Sequence, residues 1–337
     1  MSALVVAPAW VGDAVMAHSL IAAVAAAKPE RPIDVVAPAA TRPVFERMAE
    51  VRAVRELRAA HGEIGLSARW RLGRALAASG YEVAYVLPNS WKSALLPCFA
   101  GIGRRVGYRG EARFGLLSDL RTFDAKQLPR LIDRYAALAD VADDAAPRPR
   151  LTQDKEACAR LRTAFGLESG SRIVALAPGA EFGPAKRWPA GHFAALAARR
   201  IERGDDVWLL GGPGDRPLAN EIAAAAPRAS RGRLSDLVGK TRLEDAIDLL
   251  GDVDALVTND SGLMHVACAL ERPVLALFGP TSSAYTPPLG HRARVLDQAL
   301  PCAPCFKRVC PLEHQRCLTE LRPAAVDAAL DDLMGRA

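Results

Sequence analysis

The sequence predicts an α/β protein built from two Rossmann-like, doubly wound domains in series, facing one another across an interdomain cleft. Three observations carry that expectation. Short apolar runs alternate with amphipathic helical stretches in both halves of the chain, the pattern of βαβ units around a parallel sheet. A charged, proline-bearing segment at residues 143–150 interrupts the alternation, which then restarts. With 337 residues, 50% of them apolar, the chain can fill two cores.

Taken in order, residues 3–7, 33–36 and 83–87 read as strands of the first domain. Residues 14–27, 70–78 and 128–141 have helical periodicity. In the second half, 172–177, 206–210, 255–258 and 274–278 read as strands, and 189–200, 216–225 and 243–250 as helices. The expected domains are 1–150 and 151–322. A last helix, 323–337, has an apolar face that could return to the first domain. In open α/β sheets ligands bind beyond the carboxyl ends of the strands, so function is expected in the cleft between the two sheets.

Composition narrows the function class. The net charge is +6, and all of the excess lies in residues 1–150, which hold 21 Lys+Arg against 15 Asp+Glu, whereas residues 151–337 hold 23 of each. Lys92, Arg104, Arg105, Arg109 and Arg113 form a local basic cluster suited to acidic head groups or phosphorylated sugars, or to ordinary solvation. Aromatics make up 6% of the chain and do not alternate with the arginines, which argues against a nucleic-acid surface. No run reaches the ~20 apolar residues of a membrane span, and no basic leader precedes the first apolar run, so an unsecreted, cytoplasmic protein is expected.

The candidate chemistry sits in turns that follow strands. Residues 253–265 run from a strand through Thr258-Asn-Asp-Ser-Gly262 into a helix carrying His265. Such a junction aims backbone N–H groups and a helix N-terminus at a ligand, which favours phosphate. Asp260 could accept from sugar hydroxyls, and Ser261 and Gly262 offer donors; the plainer alternatives are a helix cap for Asp260 and a core histidine for His265. The turn 178–189 carries Gly179, Gly183 and Lys186, glycines permitting close backbone approach and a lysine able to neutralise a diphosphate. It has neither the Walker nor the dinucleotide-binder spacing. Asp13 follows the first strand at the start of a helix and could serve as a base or as a cap. Its apolar neighbours would raise its pKa and the helix N-terminus would lower it. Asp215 follows the Gly211–Gly214 turn, where an acidic residue can hold ribose or simply form the turn. Cys302, Cys305, Cys310 and Cys317 fall within sixteen residues, a density that could close a structural zinc site or hold an iron–sulfur cluster, or leave reduced thiols.

Together, Trp10-Val-Gly-Asp13, Leu87-Pro-Asn-Ser-Trp-Lys-Ser-Ala94, Gly110 to Asp119, Pro178 to Pro189 and Thr258 to His265 resemble the lipopolysaccharide heptosyltransferase II family, the ADP-heptose:lipopolysaccharide heptosyltransferases, from residue 10 to about 290. The resemblance implies a glycosyltransferase B architecture and an inverting transfer of L-glycero-D-manno-heptose from ADP-heptose to the heptosyl-Kdo2-lipid A inner core. It implies that Asp13 deprotonates the acceptor hydroxyl and that Lys186 stabilises the departing diphosphate. Gly183, Asp260, Ser261, Gly262 and His265 would hold the donor, with Asp215 at the ribose and Thr241 near the adenine. Lys92, Arg109 and Arg113 would meet the acceptor. The transfer chemistry itself calls for no cofactor, and the sequence speaks neither for nor against magnesium. Peripheral contact with the anionic cytoplasmic face of the inner membrane is expected from the acceptor's location. The competing enzyme class is a nucleotide-sugar epimerase of the same fold.

Overall fold

The computed structural model describes residues 2–59, 63–140, 146–167, 170–226 and 232–335. The chain divides into two compact units, Met1–Thr152 and Gln153–Ala337. Of the expected linker, residues 143–145 lie outside the described residues, as does Val141 at the end of an expected helix; residues 146–150 form no regular element.

The first unit is a six-stranded parallel sheet. Its strands are β1 (Ser2–Val6), β2 (Ile33–Ala37), β3 (Val51–Glu56), β4 (Tyr81–Val86), β5 (Arg104–Tyr108) and β6 (Asp119–Arg121), in the order β3-β2-β1-β4-β5-β6. The second unit has β7 (Ile173–Ala177), β8 (Asp206–Leu209), β9 (Leu234–Asp236), β10 (Ala255–Asn259), β11 (Val274–Leu277) and β12 (Ala293–Leu296), ordered β12-β11-β10-β7-β8-β9. Numbered within its own unit, each sheet has the order 3-2-1-4-5-6 or its counterpart about a central first strand, the doubly wound arrangement whose direction reverses beside that strand. The central strands β1, β2, β7, β10 and β11 are buried along their whole length. They are covered on both faces and therefore read as unbroken apolar runs.

The helices depart from expectation in detail. The stretch expected as one helix from 14 to 27 is two, Val11–Met16 and His18–Ala27, separated at Ala17. The stretch 128–141 contributes only Leu131–Ala136 and a 3-10 turn. The last helix, Pro323–Gly335, belongs to the second unit. Val326, Ala329, Leu330 and Leu333 join the core formed by β7, β10, β11 and the helix Ala190–Glu202. The last helix is thus part of the second unit's core. A buried ion network fixes it in place: Arg200, fully buried, donates to Asp205 at 2.8 Å, Asp327 at 3.1 Å and Asp331 at 2.6 Å. Among the described residues no helix is long and apolar enough to cross a membrane.

Candidate active site

The candidate site residues lie on segments that follow central strands of each sheet. In the second unit these are the turn 178–189 after β7 and the turn into the helix Gly262–Ala269 after β10. Lys186 Nζ lies 2.5 Å from Asp260 Oδ2, and both side chains are largely withdrawn from water, at 13% and 8% exposure. Thr281 Oγ donates to the same carboxylate oxygen at 2.7 Å. The Phe182 ring stands 5.0 Å from the ammonium, within cation–π distance. His265 is buried beside this pair. Its pKa is held well below the ordinary value by burial, with the charge of Lys186 acting in the same direction and that of Asp260 against it. The ring is therefore neutral at physiological pH. Ser261 occupies the N-cap position of the helix and exchanges a hydrogen bond with Thr258 Oγ at 3.0 Å, while Gly262 begins the helix.

Asn259 holds the two turns together, and sequence reasoning passed over it. Fully buried, its Oδ1 accepts from the Trp188 N–H at 3.0 Å and its amide donates to the Pro178 carbonyl at 2.7 Å. Trp188 is pinned in turn through its indole N–H to the Leu321 carbonyl at 2.8 Å. A side-chain amide is both donor and acceptor, so one residue at the end of β10 satisfies both ends of the lysine turn. The signal was present as an asparagine following an apolar strand, but nothing local distinguishes it from a turn former.

Asp215 lies at a glycine gap. A Cβ added to Gly179 would stand 2.2 Å from its Oδ2, and one added to Gly211 would stand 2.9 Å away. The carboxylate accepts from the Gly212 N–H at 3.1 Å and keeps an oxygen 4.0 Å from Arg187. The turn holding Thr241 begins beside it: the Gly239 N–H donates to the Gly211 carbonyl at 2.9 Å, and a Cβ on Gly239 would meet Pro213. Gly183 is likewise forced by space, since its Cβ would stand 2.5 Å from the Arg308 carbonyl oxygen.

In the first unit Asp13 occupies the first turn of the helix Val11–Met16, whose N-cap is Trp10; the helix-cap reading of Asp13 is corrected. Burial raises its pKa from 3.8 to about 6, so desolvation overrides the helix terminus. A carboxylate so placed is a competent base near neutrality.

The basic cluster dissolves into internal contacts. Arg113 is buried and donates to the Tyr108 carbonyl at 3.0 Å, the Pro88 carbonyl at 2.6 Å and Asn89 Oδ1 at 3.3 Å. It fastens the segment after β5 to the one after β4, which corrects its expected role at the acceptor. Arg105 donates to the Leu116 and Ile102 carbonyls, and Arg104 pairs with Asp119 and Asp140. Lys92 donates to the Glu63 carbonyl from an exposed position. Arg109 extends over the exposed Phe114 ring at 5.7 Å.

All seven cysteines are free thiols. Cys302, Cys305, Cys310 and Cys317 line one cavity of about 190 Å³. Among the described residues no three His, Cys, Asp or Glu side chains are placed to hold a metal ion.

The chain is similar to known proteins in sequence and in fold. The family model described as glycosyltransferase family 9 (heptosyltransferase) matches residues 69–316. The chain is 44% identical over 306 residues to lipopolysaccharide heptosyltransferase 2 of Escherichia coli K12, covering 88% of each chain. It is 45% identical over 307 residues to lipooligosaccharide heptosyltransferase 2 of Haemophilus influenzae, again covering 88% of each. Among solved structures, the E. coli ADP-heptose lps heptosyltransferase II superposes with a TM-score of 0.89 at 40% identity, over 100% of this chain and 99% of that one. The pair of doubly wound sheets and these likenesses agree: the chain is a glycosyltransferase and belongs to glycosyltransferase family 9, the heptosyltransferases.

Proposed function

We propose that this enzyme transfers L-glycero-D-manno-heptose from ADP-heptose to the heptosyl-Kdo2-lipid A inner core of lipopolysaccharide, with inversion at the anomeric carbon. The observation that carries the reading is the Lys186–Asp260 pair beside the start of the helix Gly262–Ala269. There a cation and unsatisfied backbone N–H groups meet at the carboxyl ends of the central strands of a doubly wound sheet, which suits a diphosphate. As the glycosidic bond to ADP breaks, negative charge grows on the departing β-phosphate. Lys186 and the N–H groups around Ser261 and Gly262 stabilise that charge. Asp260, released from Lys186 by the incoming diphosphate, accepts hydrogen bonds from the sugar hydroxyls, and neutral His265 supports the same end of the donor. Asp215, in its glycine gap, receives the ribose, and the backbone at Thr241 borders the adenine.

Asp13 removes the proton from the acceptor hydroxyl as that oxygen attacks the anomeric carbon; the electron pair of the old bond leaves with ADP. A pKa of about 6 leaves the carboxylate mostly ionised at pH 7 yet basic enough to take a proton. Neither step asks for a cofactor. Lys92 and Arg109 offer positive charge to the phosphorylated, acidic acceptor. Exposed Leu66 and Trp70 on the helix Leu66–Leu76, with Arg71 and Arg74 exposed on the same helix, suit peripheral contact with the anionic cytoplasmic face of the inner membrane. Sedimentation with anionic vesicles, lost at high salt, tests that contact; equal binding to neutral vesicles refutes it.

The decisive experiment incubates the enzyme with ADP-heptose and a defined monoheptosylated acceptor and follows product mass and anomeric configuration. One added heptose with inversion is expected. Conversion of the donor to an isomer without acceptor would instead establish the epimerase, which family membership does not favour.

A further inference from the structure

Between β12 and the helix Arg316–Thr319, residues 297–315 contain no helix or strand. Structureless segments of this length inside compact domains are uncommon and are often functional. Burial does not hold this one in place, because Phe306, Val309 and Leu312 are 56%, 66% and 57% exposed. Yet it is fastened to the lysine turn. The Arg308 carbonyl accepts from the Ala185 N–H at 3.1 Å, next to Lys186, and its guanidinium donates to the Phe182 carbonyl at 2.7 Å. Further along, the Phe306 N–H donates to the Pro280 carbonyl at 2.7 Å, adjoining Thr281, whose hydroxyl holds Asp260. The segment therefore bridges both sides of the Lys186–Asp260 pair.

What the segment encloses is the thiol-lined cavity. Cys302, Cys305, Cys310 and Cys317 all face it, together with Ala185 from the lysine turn and Pro280. Cys302 is exposed and the other three are partly so, which leaves the sulfurs accessible from solvent. His314 also borders the cavity, but its Nδ1 already accepts from the Arg316 N–H at 3.0 Å, so the free donor set is four sulfurs.

We propose that Cys302, Cys305, Cys310 and Cys317 form a thiolate site for a soft metal centre, one zinc ion or an iron–sulfur cluster, which cross-links segment 301–317 beneath the turn that carries Lys186. Four thiolates suit either centre, and each loses its proton to solvent on binding. Among the described residues no three of these side chains already stand at ligand distance. Binding gathers them across a cavity of about 190 Å³ that the backbone already encircles. The centre takes no part in the transfer; it holds Arg308, and through it Phe182 and Ala185, in register.

The test uses the full chain, purified after expression in medium supplemented with zinc and iron salts. Metal and acid-labile sulfide are measured per chain, with the visible absorption spectrum and mass-resolved alkylation of each cysteine. The expected result is either about one zinc per chain with no colour or iron and sulfide with visible absorption. In both cases the four thiols resist alkylation until a chelator removes the metal, after which ADP binds more weakly. Cys305→Ser and Cys310→Ser lose the metal, whereas Cys98→Ser, in the other unit, retains it. Metal-free protein with four freely alkylated thiols, or masses showing disulfides among them, overturns the proposal. Because metal content and alkylation are read on the wild-type chain without any transfer assay, this result is independent of whether the proposed donor and acceptor are right.

Discussion

Asp13→Asn separates a base from a structural aspartate, because the two roles predict opposite changes in stability. Burial raises the Asp13 pKa from 3.8 to about 6, so ionising it costs the folded protein stability. At pH values above 6 that penalty is at most about 3 kcal/mol, from 1.36 kcal/mol per pKa unit. Partial exposure of the side chain lets water relieve some of it, leaving ~1–2 kcal/mol. The sign follows from proton linkage. Between pH 3.8 and 6 the native state binds more protons than the unfolded chain, so wild-type stability falls as pH rises through this window and is lowest above it. A neutral, isosteric asparagine in its place escapes the penalty. Urea denaturation at about pH 5 and pH 8 should therefore find the variant more stable than wild type, with the larger gain at the higher pH. Over the same range heptose transfer should drop by about 100- to 10 000-fold, the usual worth of a positioned base, while ADP affinity stays within about twofold because the proposed nucleotide contacts lie in the second unit. In the wild type, kcat/KM should climb about tenfold per pH unit on the acid side and level off above a midpoint near 6. A variant that is destabilised in the alkaline arm, or that transfers heptose at a wild-type rate, would refute the assignment.

Three further substitutions probe the second unit. Lys186→Met leaves the Asp260 carboxylate, 8% exposed, without its cation, and should cost about 3–5 kcal/mol in denaturation; the double change Lys186→Met/Asp260→Asn should recover much of that stability but none of the transfer, and recovered transfer would show that Lys186 does not stabilise the leaving group. Asn259→Ala strands the Trp188 N–H and the Pro178 carbonyl, with an expected loss of about 2–4 kcal/mol and a raised KM for the donor, both absent if the staple is dispensable. Gly179→Ala places a methyl 2.2 Å from Asp215 Oδ2 and should weaken ADP binding by about tenfold, or 1.4 kcal/mol, in titration calorimetry; unchanged affinity would detach Asp215 from the nucleotide.

The strands that periodicity identified, β1, β2, β4, β7, β8, β10 and β11, lie in the middle of their sheets, where both faces are covered. The four at the sheet edges, β3, β6, β9 and β12, have sequences such as VRAVRE and DLR and were not legible; nor was β5, RRVGY, an interior strand that opens on two arginines. An edge strand needs solvent-facing charge to avoid pairing with another chain, and that same charge erases the apolar run by which a strand is read. The turns after β7 and β10 were legible for the converse reason. Glycine, lysine, aspartate and serine are concentrated there, the mixture that the proposed phosphate site calls for and that a core position does not tolerate.

The arginines show where local reading must fail. Arg104, Arg105 and Arg113 look in sequence like a patch awaiting an anion, but the structure directs them to carbonyls and carboxylates of their own unit. Residues 87–90 and 109–118, after β4 and β5, contain no helix or strand, so their carbonyls lack ladder partners, and a buried carbonyl without a donor is costly. A guanidinium supplies several donors in a rigid fork, enough for Arg113 alone to serve Tyr108, Pro88 and Asn89. Whether an arginine binds a ligand or its own backbone depends on how many carbonyls the fold leaves unpaired nearby. That quantity exists only once the chain has turned back on itself, and the same requirement is met by Asn259 for the lysine turn. In both units a single polar side chain satisfies two loops, a role that becomes readable only in the fold, whereas the residues proposed to meet a ligand can be picked out by type from the sequence.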